Sequence, residues 1–142
     1  MTAGPEPRRR CRLDAVGAAL LAFGALNILA GLVMLFAPGA FFESVGPYGT
    51  RNDHYIGDLS TWSLALGAAL VVAARRPSWR VPVLAVAFLQ GGLHALNHLL
   101  DVGEARPFWL GPFNLVALTV AAALLGLLLV ASARRPRGTG HR

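Results

Sequence analysis

Five polar side chains fall on one face of the otherwise apolar segment 88–101: Gln90, His94, Asn97, His98 and Asp101. The helical period places all five within an arc of about 100°. Polar groups inside hydrocarbon turn toward partners in the protein or toward water, so we expect this polar stripe to face the interior of a helix bundle. His94 and His98 lie one turn apart, close enough to share a ligand.

Three kinds of chemistry suit such a stripe. An H-x3-H pair, joined by His54 and Asp58 from another segment, can bind zinc, copper or iron, and one of the two histidines can be an axial ligand of haem. A pocket for a quinone or another small molecule would use histidine and aspartate to handle protons. The third interpretation is a network of hydrogen bonds that ties the helices together.

Polar residues of the other apolar segments are expected at a similar depth, in the outer half of the membrane. Asn27 lies about midway along the first segment, and Asn114 lies near the start of the last. The predicted ligand pocket consists of Asn27, His54, Asp58, Gln90, His94, Asn97, His98, Asp101 and Asn114. The candidate metal ligands are His54, Asp58, His94 and His98.

The sequence contains no motif that identifies a catalytic centre. A P-loop, a dinucleotide-binding fingerprint, a nucleophile elbow and a cysteine pair are all missing. The single cysteine, Cys11, excludes an internal disulfide. We therefore expect a binding role rather than catalysis, and we assign no catalytic residue.

The elements that position the stripe are predicted to be membrane-spanning helices. The chain has 142 residues, of which 55% are hydrophobic and only 14% are charged, which is too little polar surface for a water-soluble domain of this size. Apolar runs of roughly 17–25 residues match the thickness of a bilayer. The predicted spans are 14–37, 58–74, 82–100 and 109–133, which makes the protein an all-α, four-helix integral membrane bundle between basic tails at 1–13 and 134–142. The second tail is expected to be disordered.

The arginines predict the orientation of the bundle. Eleven of the thirteen fall in the two tails and in the loop between the second and third spans, and the chain has no lysine. The positive-inside rule then places both termini in the cytoplasm of a multi-pass plasma-membrane protein. The lipid bilayer explains the net charge of +6 without nucleic acid. The first span is longer than the apolar core of a cleaved signal peptide, so we expect it to be a retained helix.

Glycine spacing and loop length predict how the helices pack. Gly17, Gly24 and Gly31 repeat every seven residues on one face of the first span, which is typical of a close helix–helix seam. The short loop RRPSWRVP makes the second and third spans antiparallel neighbours, with Pro82 in a first helical turn. The Phe41–Phe42 pair in the first outer loop is expected to form a short amphipathic turn along the membrane surface.

Two stretches of the chain resemble a known group of proteins. The segment GPYGTRNDHYIGDLSTWSLALGAALVVAARRPS and the following HALNHLLD are similar to those of small uncharacterised actinobacterial four-helix membrane proteins, which are broadly DoxX-like. The resemblance covers roughly residues 38–114, and its sharpest elements are H-Y-x-x-D and H-x3-H. It implies a four-helix membrane bundle that partners oxidoreductases or takes part in quinone-linked respiratory chemistry.

Two functions follow from these observations as hypotheses. The first is a non-enzymatic binding module or membrane subunit whose outer pocket holds a metal, a quinone-like ligand or a partner helix. The second is a membrane oxidoreductase component that binds a metal, haem or quinone through His94 or His98. A homo-oligomer or another membrane protein is the candidate protein partner in both.

Overall fold

The computed structural model describes residues 13–134. Of the two basic tails, this range includes only Leu13 and Arg134. The disorder predicted for the second tail therefore lies outside the described residues. The described chain is all-helical, as predicted, and forms no strand. Its helices are α1 (Ala15–Phe36), α2 (Pro38–Ser44), α3 (Asp53–Arg75), α4 (Pro77–Leu100) and α5 (Leu110–Ala133). The four long helices α1, α3, α4 and α5 are long and apolar enough to cross a membrane.

Two of the long helices begin earlier than predicted. Helix α3 begins at Asp53 rather than at residue 58, because the Asn52 side chain accepts hydrogen bonds from two backbone N–H groups of the first turn. Helix α4 begins at Pro77 rather than at residue 82, with proline at its first position. Pro82 therefore lies inside the helix and not in its first turn. Hydropathy located the apolar run, whereas capping chemistry determined where each helix begins.

The predicted amphipathic turn is a short helix. Helix α2 carries Phe41 and Phe42 and follows α1 after a one-residue break at Ala37. Pro38 stands at its first position, where a missing N–H costs little. Through α2 the chain turns back from the end of α1 toward the start of α3.

Helices α1 and α3 pack closely and antiparallel through the predicted glycine seam. A Cβ atom built on Gly24 would lie 2.9 Å from the carbonyl oxygen of Gly67, and one on Gly17 would lie 2.9 Å from that of Ala74. At this distance the two backbones are in direct contact, which only small residues permit. The seam predicted for α1 is thus formed within one chain.

Helices α4 and α5 form the second antiparallel pair. A Cβ built on Gly91 would contact Ala122 at 3.6 Å, and one built on Gly126 would lie 3.0 Å from the Phe88 ring. The fully buried Leu84 joins this pair to Leu20 and Leu70 of the first pair in one apolar core. Contacts between the two pairs are fewer than contacts within each pair, and they run mainly between α3 and α4.

A buried ion pair joins the two helix pairs at one end of the bundle. The Arg80 guanidinium of α4 donates to both carboxylate oxygens of Asp14, at 2.8 and 2.9 Å. Arg80 also donates to the backbone carbonyls of Ala73 and Ala74, at the end of α3. The Asp14 carboxylate in turn accepts from the backbone N–H of Gly17 and caps α1. We call this the arginine-rich end, since Arg75, Arg76 and Arg134 also lie at helix ends there.

Polar contacts join the two pairs at the opposite end as well, which we call the loop end. Tyr48, in the connection between α2 and α3, forms an antiparallel bridge with Ala105, in the connection between α4 and α5. The backbone N–H of Arg106 donates to the carbonyl of Pro47 at 3.3 Å. The two helix pairs are therefore held together at both ends.

Candidate functional site

A cavity of about 340 Å³ lies between the two helix pairs. All five helices contribute to its lining, which is apolar apart from Asn27, Ser63, Gln90, His94 and the indole N–H of Trp62. The apolar walls are formed mainly by leucine and alanine side chains, together with Phe23, Met34 and Phe41. This cavity brings together three of the predicted pocket residues, one from α1 and two from α4.

The polar stripe of α4 enters the cavity through Gln90 and His94. Both side chains are half-buried, and both line the cavity one helical turn apart. Within residues 13–134 neither forms a hydrogen bond to another protein group. Asn27 is also half-buried, and its amide nitrogen donates to the carbonyl of Phe23 at 2.9 Å. The Asn27 side-chain oxygen is therefore available as an acceptor.

His98 belongs to a hydrogen-bonded network at the loop end. Its Nδ1 lies 3.0 Å from the hydroxyl of Tyr48, and the two rings meet edge to face. The amide nitrogen of Asn114 donates to the carbonyl of Val45 at 2.8 Å and to the Tyr48 hydroxyl at 3.4 Å. The His94 and His98 rings are 4.9 Å apart between centroids, so the network adjoins the cavity.

The remaining two residues of the stripe lie at its rim. Asn97 is exposed, and its amide donates to the Asp101 carboxylate at 3.4 Å. Neither residue lines the cavity. The stripe thus divides into two cavity residues, one network residue and a hydrogen-bonded pair at the rim.

His54 and Asp58 lie on the outer surface of α3. Their ring nitrogen and carboxylate oxygen are 3.6 Å apart, and their side chains are 80% and 67% exposed. The described residues include no group of three or more His, Cys, Asp or Glu side chains that could hold a metal ion. In this structure His54 and Asp58 pair with each other on the exposed face of α3 and are not grouped with His94 and His98.

A further charged pair lies at the start of α3. Arg51 donates to both carboxylate oxygens of Asp53, at 2.6 and 2.8 Å. This hydrogen bond raises the pKa of Arg51 above its usual value. Both side chains are well exposed, so the pair contributes little to the free energy of unfolding.

A groove opens on the outside of the bundle beside the cavity. It occupies about 490 Å³ between α3 and α4 and is lined by Leu59, Trp62, Val86, Leu89, Gln90, Leu93 and His94. Four of these residues, Leu59, Trp62, Gln90 and His94, also line the cavity. The groove and the cavity therefore meet at the polar groups of α4.

Three residues of the site were not predicted from the sequence. Ser63 and Trp62 line the cavity, and Tyr48 is the centre of the loop-end network. Ser63 is a small polar residue within an apolar run, and the helical spacing of polar residues did not single it out. Tyr48 stands in a Gly- and Pro-rich loop, where its partners cannot be read from spacing.

Together, the fold and the cavity define a class: an all-helical protein with four helices able to cross a membrane around an apolar cavity with few polar groups. Comparison of the chain with models of known protein families, with curated proteins and with solved structures finds no match. The function is therefore inferred from the residues of the cavity itself.

Proposed function

We propose that this protein is a membrane-embedded binding protein that holds a small molecule in the cavity between its two helix pairs. One observation carries the proposal: Asn27, Gln90 and His94 meet in a cavity of about 340 Å³ with otherwise largely apolar walls. Small-molecule sites combine apolar walls with a few placed polar groups, typically in a space of about 300–1,000 Å³. The ligand would have an apolar body and a group that forms hydrogen bonds.

The hydrogen-bonding capacity of the three side chains supports this ligand chemistry. The Gln90 amide and the His94 imidazole each offer a donor and an acceptor, and Asn27 offers an acceptor. Leaving such groups without partners in a low-dielectric interior is costly. A ligand hydroxyl or carbonyl that bonds Gln90 and His94 would remove that cost, which favours the occupied state.

The proposal includes the orientation and location predicted from the arginines. We propose a multi-pass protein of the plasma membrane with both termini in the cytoplasm. Arg75, Arg76, Arg80 and Arg134 belong to the end of the bundle opposite Tyr48, and such a one-sided distribution indicates the cytoplasmic side. Gln90 and His94 would then lie in the outer half of the bilayer. Kinship with DoxX-like proteins is part of the same proposal.

A redox role is the second candidate, and the arrangement of His94, His98 and Tyr48 favours it. The two imidazoles are 4.9 Å apart between centroids, and His98 is hydrogen-bonded to the Tyr48 hydroxyl. Imidazole and phenol groups in sequence can move protons between a buried site and the surface. A quinone in the cavity would in this case be the ligand, and the protein would be a component of a membrane oxidoreductase.

The test is to identify what the protein carries out of the membrane. The protein is purified from membranes in mild detergent, denatured in organic solvent, and the released molecules are measured by mass spectrometry. We expect close to one equivalent of an apolar molecule bearing a hydroxyl or carbonyl group. The double variant Gln90→Leu/His94→Leu should lose about 80% of it or more, since two hydrogen bonds to the ligand together contribute about 1–3 kcal/mol, which is about a five- to 150-fold change in affinity.

Thr119→Val is the matched control. Thr119 is a polar residue of α5 whose hydroxyl already donates to the carbonyl of Leu115, and it does not line the cavity. This variant should retain the full amount of ligand. Equal amounts of the same molecules in the parent, the double variant and the control would show unspecific lipid carry-over and would refute the proposal. Recovery of a quinone would select the redox candidate.

A further inference from the structure

The groove between α3 and α4 shares four of its seven lining residues with the cavity. Its other three, Val86, Leu89 and Leu93, belong to the groove but not to the cavity, and between half and two thirds of each is exposed. On the cavity side of the opening stand Gln90 and His94. A molecule lying in the groove therefore touches the same two polar side chains as a molecule in the cavity.

We infer that the ligand enters the cavity sideways from the bilayer, through this groove, and that it is an uncharged, lipid-soluble molecule. The inference rests on the proposed function and adds the route and the class of ligand. It defines Val86, Leu89 and Leu93 as an entrance and Gln90 and His94 as the first polar groups that an entering ligand meets.

The position of the groove along α4 supports entry from lipid rather than from water. Helix α4 is 24 residues long, or about 36 Å at 1.5 Å per residue. Val86 and His94 lie about 14 and 26 Å from its first residue by the same measure. The hydrocarbon of a bilayer is about 30 Å thick, so an opening at this depth faces acyl chains when α4 spans the membrane.

The packing of the bundle places an opening between the two helix pairs rather than within either of them. Helices α1 and α3 meet backbone to backbone at Gly24 and Gly67, and that seam leaves no passage for a ligand. Helices α4 and α5 are also in van der Waals contact, since a Cβ on Gly91 would lie 3.6 Å from that of Ala122. The two boundaries between the pairs, α3 with α4 and α1 with α5, are both less tightly packed than either pair, and the groove lies at the first of them. The polar contacts that close the bundle lie at its two ends, at Arg80 and at Tyr48.

The lining residues determine the charge of the ligand. No Asp, Glu, Lys or Arg lines the groove or the cavity in the described part of the chain. An ionised head group would leave water without a counter-charge, which is strongly unfavourable in a low-dielectric site. Hydroxyl, carbonyl and amide head groups need only hydrogen bonds, which Gln90 and His94 can supply.

The experiment uses Trp62, which lines both spaces, as a fluorescent reporter. The chain has three tryptophans and one cysteine, so the background Trp79→Phe/Trp109→Phe/Cys11→Ser leaves Trp62 alone. The probe is ω-bromodecanol, whose bromine quenches indole fluorescence on contact. In lipid nanodiscs we expect saturable quenching by bromodecanol. Bromodecanoate at about pH 9, where its carboxyl is ionised, should bind at least tenfold more weakly.

The entrance is then narrowed reversibly. Leu93→Cys is labelled with a benzyl methanethiosulfonate before reconstitution, and Leu96→Cys is labelled as the matched control, because Leu96 is exposed to a similar extent on α4 but lies outside the groove. With the label at position 93, both the association and the dissociation rate of bromodecanol should fall at least tenfold, while Kd stays within about twofold. Dithiothreitol, which removes the label, should restore both rates, and the label at position 96 should change neither.

The outcomes separate this inference from the proposed function. Unchanged rates with the label at position 93, or a weaker Kd without slower exchange, would refute the lateral entrance while the cavity remained a binding site. Equal affinity for bromodecanol and bromodecanoate would refute the uncharged class of ligand. Quenching that rises linearly without saturation, and identically in Gln90→Leu/His94→Leu, would refute binding in the cavity itself.

Discussion

At the scale of single residues, the polar side chains of this bundle differ in whether the protein supplies their partners. Arg80 and Asn114 bond to groups in other elements and hold the two helix pairs together. Gln90 and His94 have no hydrogen-bond partner within residues 13–134, although they are half-buried. The hydrogen bonds of Arg80 and Asn114 maintain the fold, whereas Gln90 and His94 are the two side chains that the proposed ligand would engage.

The sequence predicted the direction of the polar stripe better than it predicted which of the stripe's residues are buried. Gln90, His94 and His98 are partly buried, as expected from the helical period, whereas Asn97 is exposed. An arc of about 100° is wider than the strip of α4 that meets its neighbours, so a residue at the edge of the arc lies outside the contact. His54 was matched to His94 by depth alone, and depth does not determine on which side of α3 a residue lies.

The Asp14–Arg80 pair was not predicted, because a charged residue near the end of an apolar span is first interpreted as a topology signal. In the fold, Arg80 is buried and Asp14 is about one-third exposed. The free energy that the pair contributes should therefore fall below the 3–5 kcal/mol lost when a fully buried pair is broken.

We predict that Arg80→Ala lowers the free energy of unfolding by about 2–3 kcal/mol. The substitution leaves the Asp14 carboxylate without its cation and removes the donors to the carbonyls of Ala73 and Ala74. Unfolding by sodium dodecyl sulfate, followed by far-UV circular dichroism, measures the change. Arg76→Ala is the control, since Arg76 is exposed at the junction of α3 and α4, and it should change stability by less than about 0.5 kcal/mol. Equal losses in both variants would contradict the role of the pair.

At the scale of elements, the existence of the four long helices followed from composition, whereas their ends and contacts did not. Apolar length located the spans, but Asn52 and Pro77 set the first residues of α3 and α4. The seven-residue glycine repeat correctly marked a packing face on α1. Its partner on α3 could not be identified beforehand, because small residues are present in every span and any of them could have filled that role.

We predict that Gly24→Ala destabilises the protein by about 1–3 kcal/mol, the usual cost of overpacking a filled interface. The added methyl would lie 2.9 Å from both the Gly67 carbonyl oxygen and the Val71 side chain, so the α1 and α3 backbones must separate. The same detergent unfolding experiment measures the change. Gly92→Ala is the matched control, because a Cβ there meets no heavy atom within 4 Å, and helix propensity should leave its stability equal or slightly higher. If Gly24→Ala leaves stability unchanged, the seam between α1 and α3 is less tightly packed than the 2.9 Å distances indicate.

At the scale of the whole molecule, the bundle consists of two tight helix pairs held at both ends and separated in the middle. Leu20, Leu70 and Leu84 fill the space between the pairs on the side of the arginine-rich end. The cavity occupies the space nearer the loop end. The sequence indicated this asymmetry through the depth of Asn27, Gln90 and His94, but not the pairing of α1 with α3 and of α4 with α5. The position of a cavity depends on which helix faces are not in contact, and hydropathy does not show which faces these are.

A cavity maintained for a ligand should be a cost to the empty protein, and one substitution tests this. Ala121 of α5 lines the cavity, and Ala121→Leu would place a larger apolar side chain inside it. We predict that the ligand-free variant gains up to about 2.4 kcal/mol in free energy of unfolding, since Leu adds three carbons at about 0.8 kcal/mol each, while its affinity for bromodecanol falls at least tenfold. Stability is expected to rise while affinity falls, because evolved binding sites give up stability for function.

The control for this prediction is Ala123→Leu, two residues along the same helix on its exposed face, which should alter neither quantity. Detergent unfolding and Trp62 quenching measure the two effects in the same preparations. A loss of stability together with a loss of binding would mean that the side chain does not fit and that the space at Ala121 is closed in the folded protein. Higher stability with undiminished binding would place the ligand elsewhere. Only higher stability together with weaker binding of bromodecanol is consistent with a cavity between the helix pairs that is kept open to bind a ligand.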